Sequence, residues 1–500
     1  MRSTLVYTYG MGWTAWALSN SLLFCLPAPT YEVASAFLSL FFFDGKVMNR
    51  FALFVLSTAC IAGPLFAQLP ATDPRIASLV GEISPANIKK TVERLAAFGT
   101  RHTLSDTVSQ TRGIGAARRW IQSTLDSYAR ASDGRMTVAL DGFIAEPSGR
   151  IPHPARIVNV IATLRPQAGP VQRGERMIVI GAHYDSRASD AMDSLGDAPG
   201  ANDDGSGTAL VLELARIFSR RAFNTTIVFA CFAGEEQGLL GATHWAAQAR
   251  QQGWNVEAML NNDIVGNTEG GSGTVESGYV RLFSEALSPA DTGRTLARVD
   301  ALGLEEDGLS RSLARYIKET GERYVPGFAV AMIYRRDRFL RGGDHTPFHQ
   351  RGFAAVRFSE AAENFDRQHQ NPDPATRIGD LPEFVNEGYC ANIARTNAAV
   401  AATLAYAPPP PPEASIVVST LEYGTTLHWS PGPSHGTAGY LVRWRETTSP
   451  VWQHAILVKD TTAQLTVSKD NYLFGIQAVN EHGDASLTTV PVPEQKPNRK

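Results

Sequence analysis

Six consecutive residues with no charged or hydroxyl side chain, Met177-Ile178-Val179-Ile180-Gly181-Ala182, run directly into His183-Tyr184-Asp185. A run so short and so apolar reads as a strand buried on both faces, the condition of a sheet lying between layers of helix. The surrounding sequence keeps the alternation such a sheet needs. Ser84-Pro85 opens a helix, a capping hydroxyl followed by proline at the first helical position, and Ile88, Val92 and Leu95 share its inner face. A helix is predicted over 113–128 and a strand over 157–164. After the buried strand come a helix over 207–221, a strand over 226–233, a helix over 238–250 and a strand over 257–261. This order predicts an α/β domain with a mixed, mostly parallel sheet and helices on both faces.

A chain of 500 residues exceeds one core, so more than one domain is expected. Pro408 to Pro412 are five consecutive prolines, which fit neither a helix nor a sheet ladder and mark a stiff linker. Beyond them, β-type runs at 416–419, 426–429, 440–445, 455–458, 464–467 and 472–480 are separated by turn residues, as in an all-β sandwich. Here the chain resembles a fibronectin type III module. Trp429 in Leu427-His428-Trp429-Ser430-Pro431 matches the early core tryptophan of such modules, and Tyr472 in Asn471-Tyr472-Leu473-Phe474 the late tyrosine. The expected boundaries are a catalytic domain over 68–407, a linker over 408–413 and the β module over 414–495.

At the N-terminus, Met48-Asn49-Arg50 precedes the apolar run Phe51 to Ile61 and the small residues up to Ala67. A positive start, a short apolar stretch and a small residue at the exit read as a signal peptide over 48–67. The run is too short for a stable membrane span. Residues 1–47 then read as an upstream extension from an early start codon, and the mature protein is expected to be secreted or periplasmic. Only Cys231 and Cys390 would remain after cleavage, which excludes a disulfide-built scaffold. With 46 basic and 49 acidic residues, the charge balance carries no nucleic-acid footprint.

Five polar clusters stand out in the first domain: His183-Tyr184-Asp185, Asn202-Asp203-Asp204-Gly205-Ser206-Gly207, Gly234-Glu235-Glu236, Asn262-Asp263 and Gly343-Asp344-His345. Three of them directly follow a predicted strand, and the others lie in loops able to reach the same rim, where open α/β sheets bind their ligands. Alone, each has a plainer reading: a hydrogen-bonded structural pair, a turn, or a solvated acidic pair. Together, two histidines and several carboxylates at one edge make a hard nitrogen and oxygen site of the kind that suits zinc.

With these clusters, residues 83–405 resemble the co-catalytic di-zinc aminopeptidases, a superfamily that includes bacterial leucyl aminopeptidases, glutamate carboxypeptidase and the transferrin receptor ectodomain. The stretch Phe98-Gly99-Thr100-Arg101-His102-Thr103 echoes the start of that fold. The resemblance implies two Zn2+ ions bridged by Asp203, one completed by His183 and Asp263 and the other by Glu236 and His345. It implies Glu235 as general base, Asp185 as the residue steadying His183, and a cis peptide between Asp203 and Asp204. The implied activity is that of a metallo-aminopeptidase acting on peptide or protein substrates. Glutaminyl cyclase and carboxypeptidase activities occur on the same fold, as does non-catalytic binding, and the β module could bind surfaces or polymers. No histidine is followed by glutamate, so the helical His-Glu-x-x-His zinc motif is absent. Arg335, Arg336, Arg338 and Arg341 form either a solvated basic loop or a contact for a substrate carbonyl or carboxylate.

Overall fold

The computed structural model describes residues 72–494 apart from 168, 374, 420 and 433–435, so the predicted upstream extension and signal peptide lie outside the described residues. The chain opens with helices α1 (Pro74–Gly81), α2 (Pro85–Ala96) and α3 (Gly113–Ala129), followed by strands β1 (Met136–Ala145), β2 (Ala155–Leu164) and β3 (Arg176–His183). Next come α4 (Gly205–Phe218), β4 (Thr226–Phe232), α5 (Leu240–Gln252), β5 (Asn255–Asn262) and β6 (Tyr279–Phe283). Helices α6 (Gly293–Leu302) and α7 (Leu309–Tyr324), strand β7 (Ala329–Ile333), the short α8 (His345–His349), β8 (Ala355–Ser359) and α9 (Glu387–Tyr406) complete the first domain. The predicted capping serine holds: Ser84 accepts the backbone N–H of Asn87, and proline occupies the first turn of α2.

The eight strands form one sheet in the order β1-β2-β4-β3-β5-β8-β6-β7. The central strands β4, β3, β5 and β8 run parallel, while β1, β2 and β6 supply antiparallel pairings, so the sheet is mixed as the sequence predicted. Burial explains the apolar run at its centre. Ile178 and Ile180 point into a core shared with residues of α2, α3, α4, α7 and α9, whereas Met177 and Val179 point the other way into a core with Trp245 of α5 and Phe348 of α8. Both faces are dry, and the strand has no solvent side on which a polar residue would be favoured. Because the four central strands are parallel, the C-terminal ends of β3, β4, β5 and β8 meet at one edge.

Beyond Tyr406, β9 (Ser415–Ile416), β10 (Thr425–His428), β11 (Gly439–Glu446), β12 (His454–Val458), β13 (Thr462–Leu465), β14 (Tyr472–Val479) and β15 (Val492–Pro493) form two sheets, β13-β10-β9-β15 and β12-β11-β14. Trp429 is buried between them, edge-on to Tyr440. The prolines do not hold this domain at a distance. Pro412 and Pro411 carbonyls accept hydrogen bonds from the Ser430 amide and the Thr489 hydroxyl, laying the linker along the sandwich.

The β domain is keyed into the first domain by buried charge. Asp307 accepts from Arg445 of β11 at 2.8 Å and from Arg315 of α7 at 3.1 Å, and all three side chains are shielded from solvent. Arg443 pairs with Glu319 at 2.6 Å, and Arg75 bridges Asp73 and Asp484. The Arg315 guanidinium also donates to the Pro450 carbonyl, and Tyr316 to that of Ala485. Cys231 and Cys390 are buried free thiols. Removing one member of a buried charge group strands the others without compensation, at about 3–5 kcal/mol. Asp307→Ala is therefore expected to lower unfolding stability by about that amount, and urea melts followed by tryptophan fluorescence should show both domains lost in a single transition.

Candidate metal centre

Everything the sequence placed at strand ends arrives at the same edge of the sheet, and Asp203 stands at its centre. Its Oδ1 lies 3.2 Å from Nε2 of His183, and its Oδ2 lies 2.8 Å from Nε2 of His369. On the His183 side, Asp263 approaches to 3.8 Å, and ligand atoms of His183, Glu235 and Asp263 all lie within 4.8 Å of one another. On the other side, Glu236 comes to 3.0 Å from His369, and ligand atoms of Asp203, Glu236 and His369 form a second group of the same tightness.

Local structure fixes each of these groups. His183 ends β3, Asp263 follows β5, and Glu235-Glu236 follow β4 by three residues. Asp203 is held by the turn before α4. The Asp380 carboxylate accepts the backbone N–H groups of Asn202 and Asp203, both at 2.7 Å. The Asp203–Asp204 peptide is cis, as the resemblance implied. Asp204 then caps α4 through Gly207 N–H and ties in His183 and Ile264 through theirs. Gly207 has no alternative here, since a Cβ would meet the Asn262 carbonyl oxygen at 2.1 Å. The fully buried guanidinium of Arg101 donates to the carbonyls of Leu95, Tyr184, Pro199 and Gly200, clamping the loop on which Asp203 rides.

Asp185 has more work than its predicted role. Its carbonyl oxygen lies 3.1 Å from His183 Nδ1 and its carboxylate 3.6 Å, so the carbonyl is the nearer acceptor. With Nδ1 turned to that carbonyl, Nε2 is the ring nitrogen that faces Asp203 and Asp263. The Asp185 carboxylate meanwhile accepts the amides of Glu235 and Glu236 and the hydroxyl of Thr103, fixing the turn after β4.

His345, expected at this centre, is not brought there. It opens α8, buried, with Nε2 2.8 Å from the Arg336 carbonyl, and burial depresses its pKa to about 4. The histidine beside Asp203 and Glu236 is instead His369, from the long connection after β8. Its φ of +53° places it in the left-handed region, unusual for a residue with a side chain. A strand-end rule could have pointed to this connection, because it leaves the C-terminal end of the fourth parallel strand. The polar stretch Arg367-Gln368-His369-Gln370 carries no strand of its own to mark it. Other groups that sequence reasoning passed over are Asp380, Glu360 and Arg357. Arg357, buried in β8, pairs with Asp263 at 2.8 Å and also with Asp337. Glu360 accepts from the Asn202 side chain at 2.8 Å and from the Asn267 amide at 2.9 Å.

The electrostatics follow from packing carboxylates together away from water. Burial opposes the charged form of Asp203, but His369 and His183 outweigh it and hold its pKa well below the usual range. Burial works against the cationic form of His369, yet Glu236 and Asp203 push its pKa up to about 9. Burial raises Glu235 well above an ordinary glutamate, with Asp263 and Glu236 adding to the effect. Glu360 is pushed up to about 8, chiefly by burial. The donor set fits a metal. Buried Nε2 of His183 and Oε1 of Glu236 have no hydrogen-bond partner, although carboxylate and imidazole atoms stand 3.0–3.2 Å away. Atoms crowded face to face without hydrogen-bond geometry are arranged as ligands around a common centre.

Asp203, Glu235, Glu236, Asp263 and His369 form the floor of a cleft of about 430 Å³ whose other walls include Arg150, Arg187, Leu239, Arg338, Leu340 and Arg341. Of the four arginines predicted near His345, Arg338 and Arg341 line it; Arg335 and Arg336 do not.

Comparison with known proteins places this edge in a family. The model of peptidase family M28 matches residues 159–381, a span that contains both ligand groups. A probable zinc metalloprotease of Pyricularia oryzae is 44% identical over 436 residues, covering 85% of this chain and 86% of its own. One from Leptosphaeria maculans is 43% identical over 427 residues, covering 85% and 98%. Among solved structures, the Legionella pneumophila LapA aminopeptidase overlaps 66% of this chain and 74% of its own at 19% identity and a TM-score of 0.48. The extent of identity with the fungal proteins leaves one conclusion: this chain belongs to peptidase family M28.

Proposed function

We propose that this protein is a secreted zinc-dependent aminopeptidase that binds two Zn2+ ions, one held by His183 and Asp263, the other by Glu236 and His369, with Asp203 shared. The observation that carries this reading is the placement of Asp203, whose two carboxylate oxygens each face a different histidine. Zinc bound there would supply Lewis acidity, polarising a peptide carbonyl and lowering the pKa of water toward neutrality.

Glu235 is the group left over once each ion has its ligands. Raised by burial, its carboxylate is suited to take a proton from water and return it to the departing amine. Arg150 donates to the Glu236 carbonyl at 2.7 Å and steadies that ligand from the cleft side. Secretion rests on the sequence of residues 48–67. The C-terminal domain, read as fibronectin type III-like, has its Trp429 in the core and a charged face committed to Asp307 and to Glu319 of α7, which favours a supporting role over a free binding module.

Hydrolysis of free but not N-acetylated peptides, abolished by chelator and restored by zinc, tests the function directly; cleavage of the blocked peptides at equal rate would overturn it. Glu235→Gln should keep its zinc and lose about 10²–10⁴-fold in turnover. Metal analysis separates the two histidines: His369→Ala should bind one zinc ion fewer per chain, and His345→Ala should keep the full complement. The scaffold adds a pH signature. Because the folded pKa of Glu360, about 8, exceeds that of an unfolded glutamate, the folded state binds the extra proton between the two values. Its contribution to stability is complete in acid and is lost as pH rises toward 8. Melting temperatures of Glu360→Gln should therefore gain on those of the natural protein steadily between about pH 5 and 8.

A further inference from the structure

Two arginines in the cleft have a use that hydrolysis of a peptide bond alone does not require. Arg150 leaves the connection between β1 and β2, and Arg341 the connection between β7 and α8, and both line the cleft whose floor holds Asp203, Glu235, Glu236 and Asp263. Each is tethered by one N–H only. Arg150 Nη1 donates to the Glu236 carbonyl, and Arg341 Nη1 donates at 3.3 Å to Gln368, whose own amide lies 3.4 Å from Asp203 Oδ2. Neither has a carboxylate within 4.0 Å among the described residues. The neighbouring arginines are all engaged. Arg336 pairs with Glu285, Arg338 with Asp337 and Glu363, Arg335 lies over the Phe339 ring, and Arg187 stands 4.0 Å from Glu236.

An exposed arginine is ordinarily a solvated surface group. These two differ because each is fixed at one nitrogen, is directed to the same cleft, and keeps the rest of its planar fork available. A guanidinium in that state binds a carboxylate by two parallel N–H donors, a geometry that an ammonium cannot copy. Resting on the peptidase reading above, we propose that Arg150 and Arg341 are specificity-determining residues that bind a substrate carboxylate, so the preferred substrates are short peptides bearing a carboxylate close to the scissile bond. That carboxylate belongs either to the free C-terminus of a dipeptide or to an acidic side chain next to the bond. The basic rim would hold that carboxylate and so fix the direction of the chain across the floor.

Paired probes distinguish the two sources. Leucyl-leucine against leucyl-leucinamide tests the terminal carboxylate; leucyl-glutamate amide against leucyl-glutamine amide tests the side chain. The natural protein is expected to favour the carboxylate member of at least one pair by about tenfold or more in kcat/KM, through KM. In Arg150→Met/Arg341→Met that ratio should fall to within about threefold of unity, and the two lysine replacements should recover only part of it. The same ratio read as Kd by calorimetry on Glu235→Gln protein needs no turnover. Equal treatment of both members of both pairs by the natural protein, or a preference that survives the double substitution in protein of unchanged circular dichroism, overturns the proposal. If the natural protein cleaves none of the four probes, the peptidase reading falls. The calorimetric ratio still decides whether these arginines hold a carboxylate.

Discussion

Asp185, Asp203, Asp204, Glu236, Asp263, Asp344, Glu360 and Asp380 are all buried around one edge of one sheet, and keeping so much potential negative charge out of water is the constraint the rest of the domain answers to. Three means are visible. Arg357 lies between Asp263 and Asp337, and Arg101 gives its guanidinium to four carbonyls so that the surrounding loop cannot open. Backbone amides absorb Asp185, Asp204 and Asp380. The remaining carboxyls, Glu360 and Asp344, are held toward their neutral forms by burial. What is left is the pair of groups around Asp203, where carboxylates face imidazoles and the ligand chemistry of a divalent cation fits.

The framework of this arrangement was open to sequence reasoning. The doubly buried strand at 177–182 demanded helices on both faces, and the polar residues ending β3, β4 and β5 followed from parallel strands whose C-terminal ends share an edge. The helix boundaries predicted from Ser84-Pro85 and from 113–128 fall within one residue of those observed. By contrast, α1, β1, β6, α6, α7, β7, α8, β8 and α9 went unassigned. The strands β6 and β7 have five residues each, too few for a period to show, and α9 is an alanine-rich helix buried nearly all round, with no polar stripe to betray it.

The site was legible except where it depended on a loop. Gly343-Asp344-His345 resembles a ligand motif, but the helix it opens directs His345 to the Arg336 carbonyl. The histidine found beside Asp203 and Glu236 sits two residues from the short turn at Phe365–Arg367, with a left-handed backbone that no local motif announces. Asp380 and Glu360 were hidden for a similar reason. Their role is to accept from backbone amides and an asparagine distant in sequence, and such hydrogen bonds leave no pattern in the local residues. The β domain was read as tethered through a stiff spacer, whereas its relation to the first domain is set by Asp307 and Glu319, which only the folded arrangement brings against Arg445 and Arg443.

One connection, residues 360–386, delivers Gln368, His369 and Asp380 to Asp203, so a single span of chain furnishes both the histidine beside that carboxylate and the brace of its backbone. This has a consequence for synthesis. A nascent polypeptide that has emerged just past β5 already owns His183, Asp203, Glu235, Glu236 and Asp263, yet His369 waits for more than a hundred further residues. If His369 is a ligand as proposed, the order of the chain acts as a delay, leaving the centre incomplete until nearly the whole α/β domain has left the ribosome.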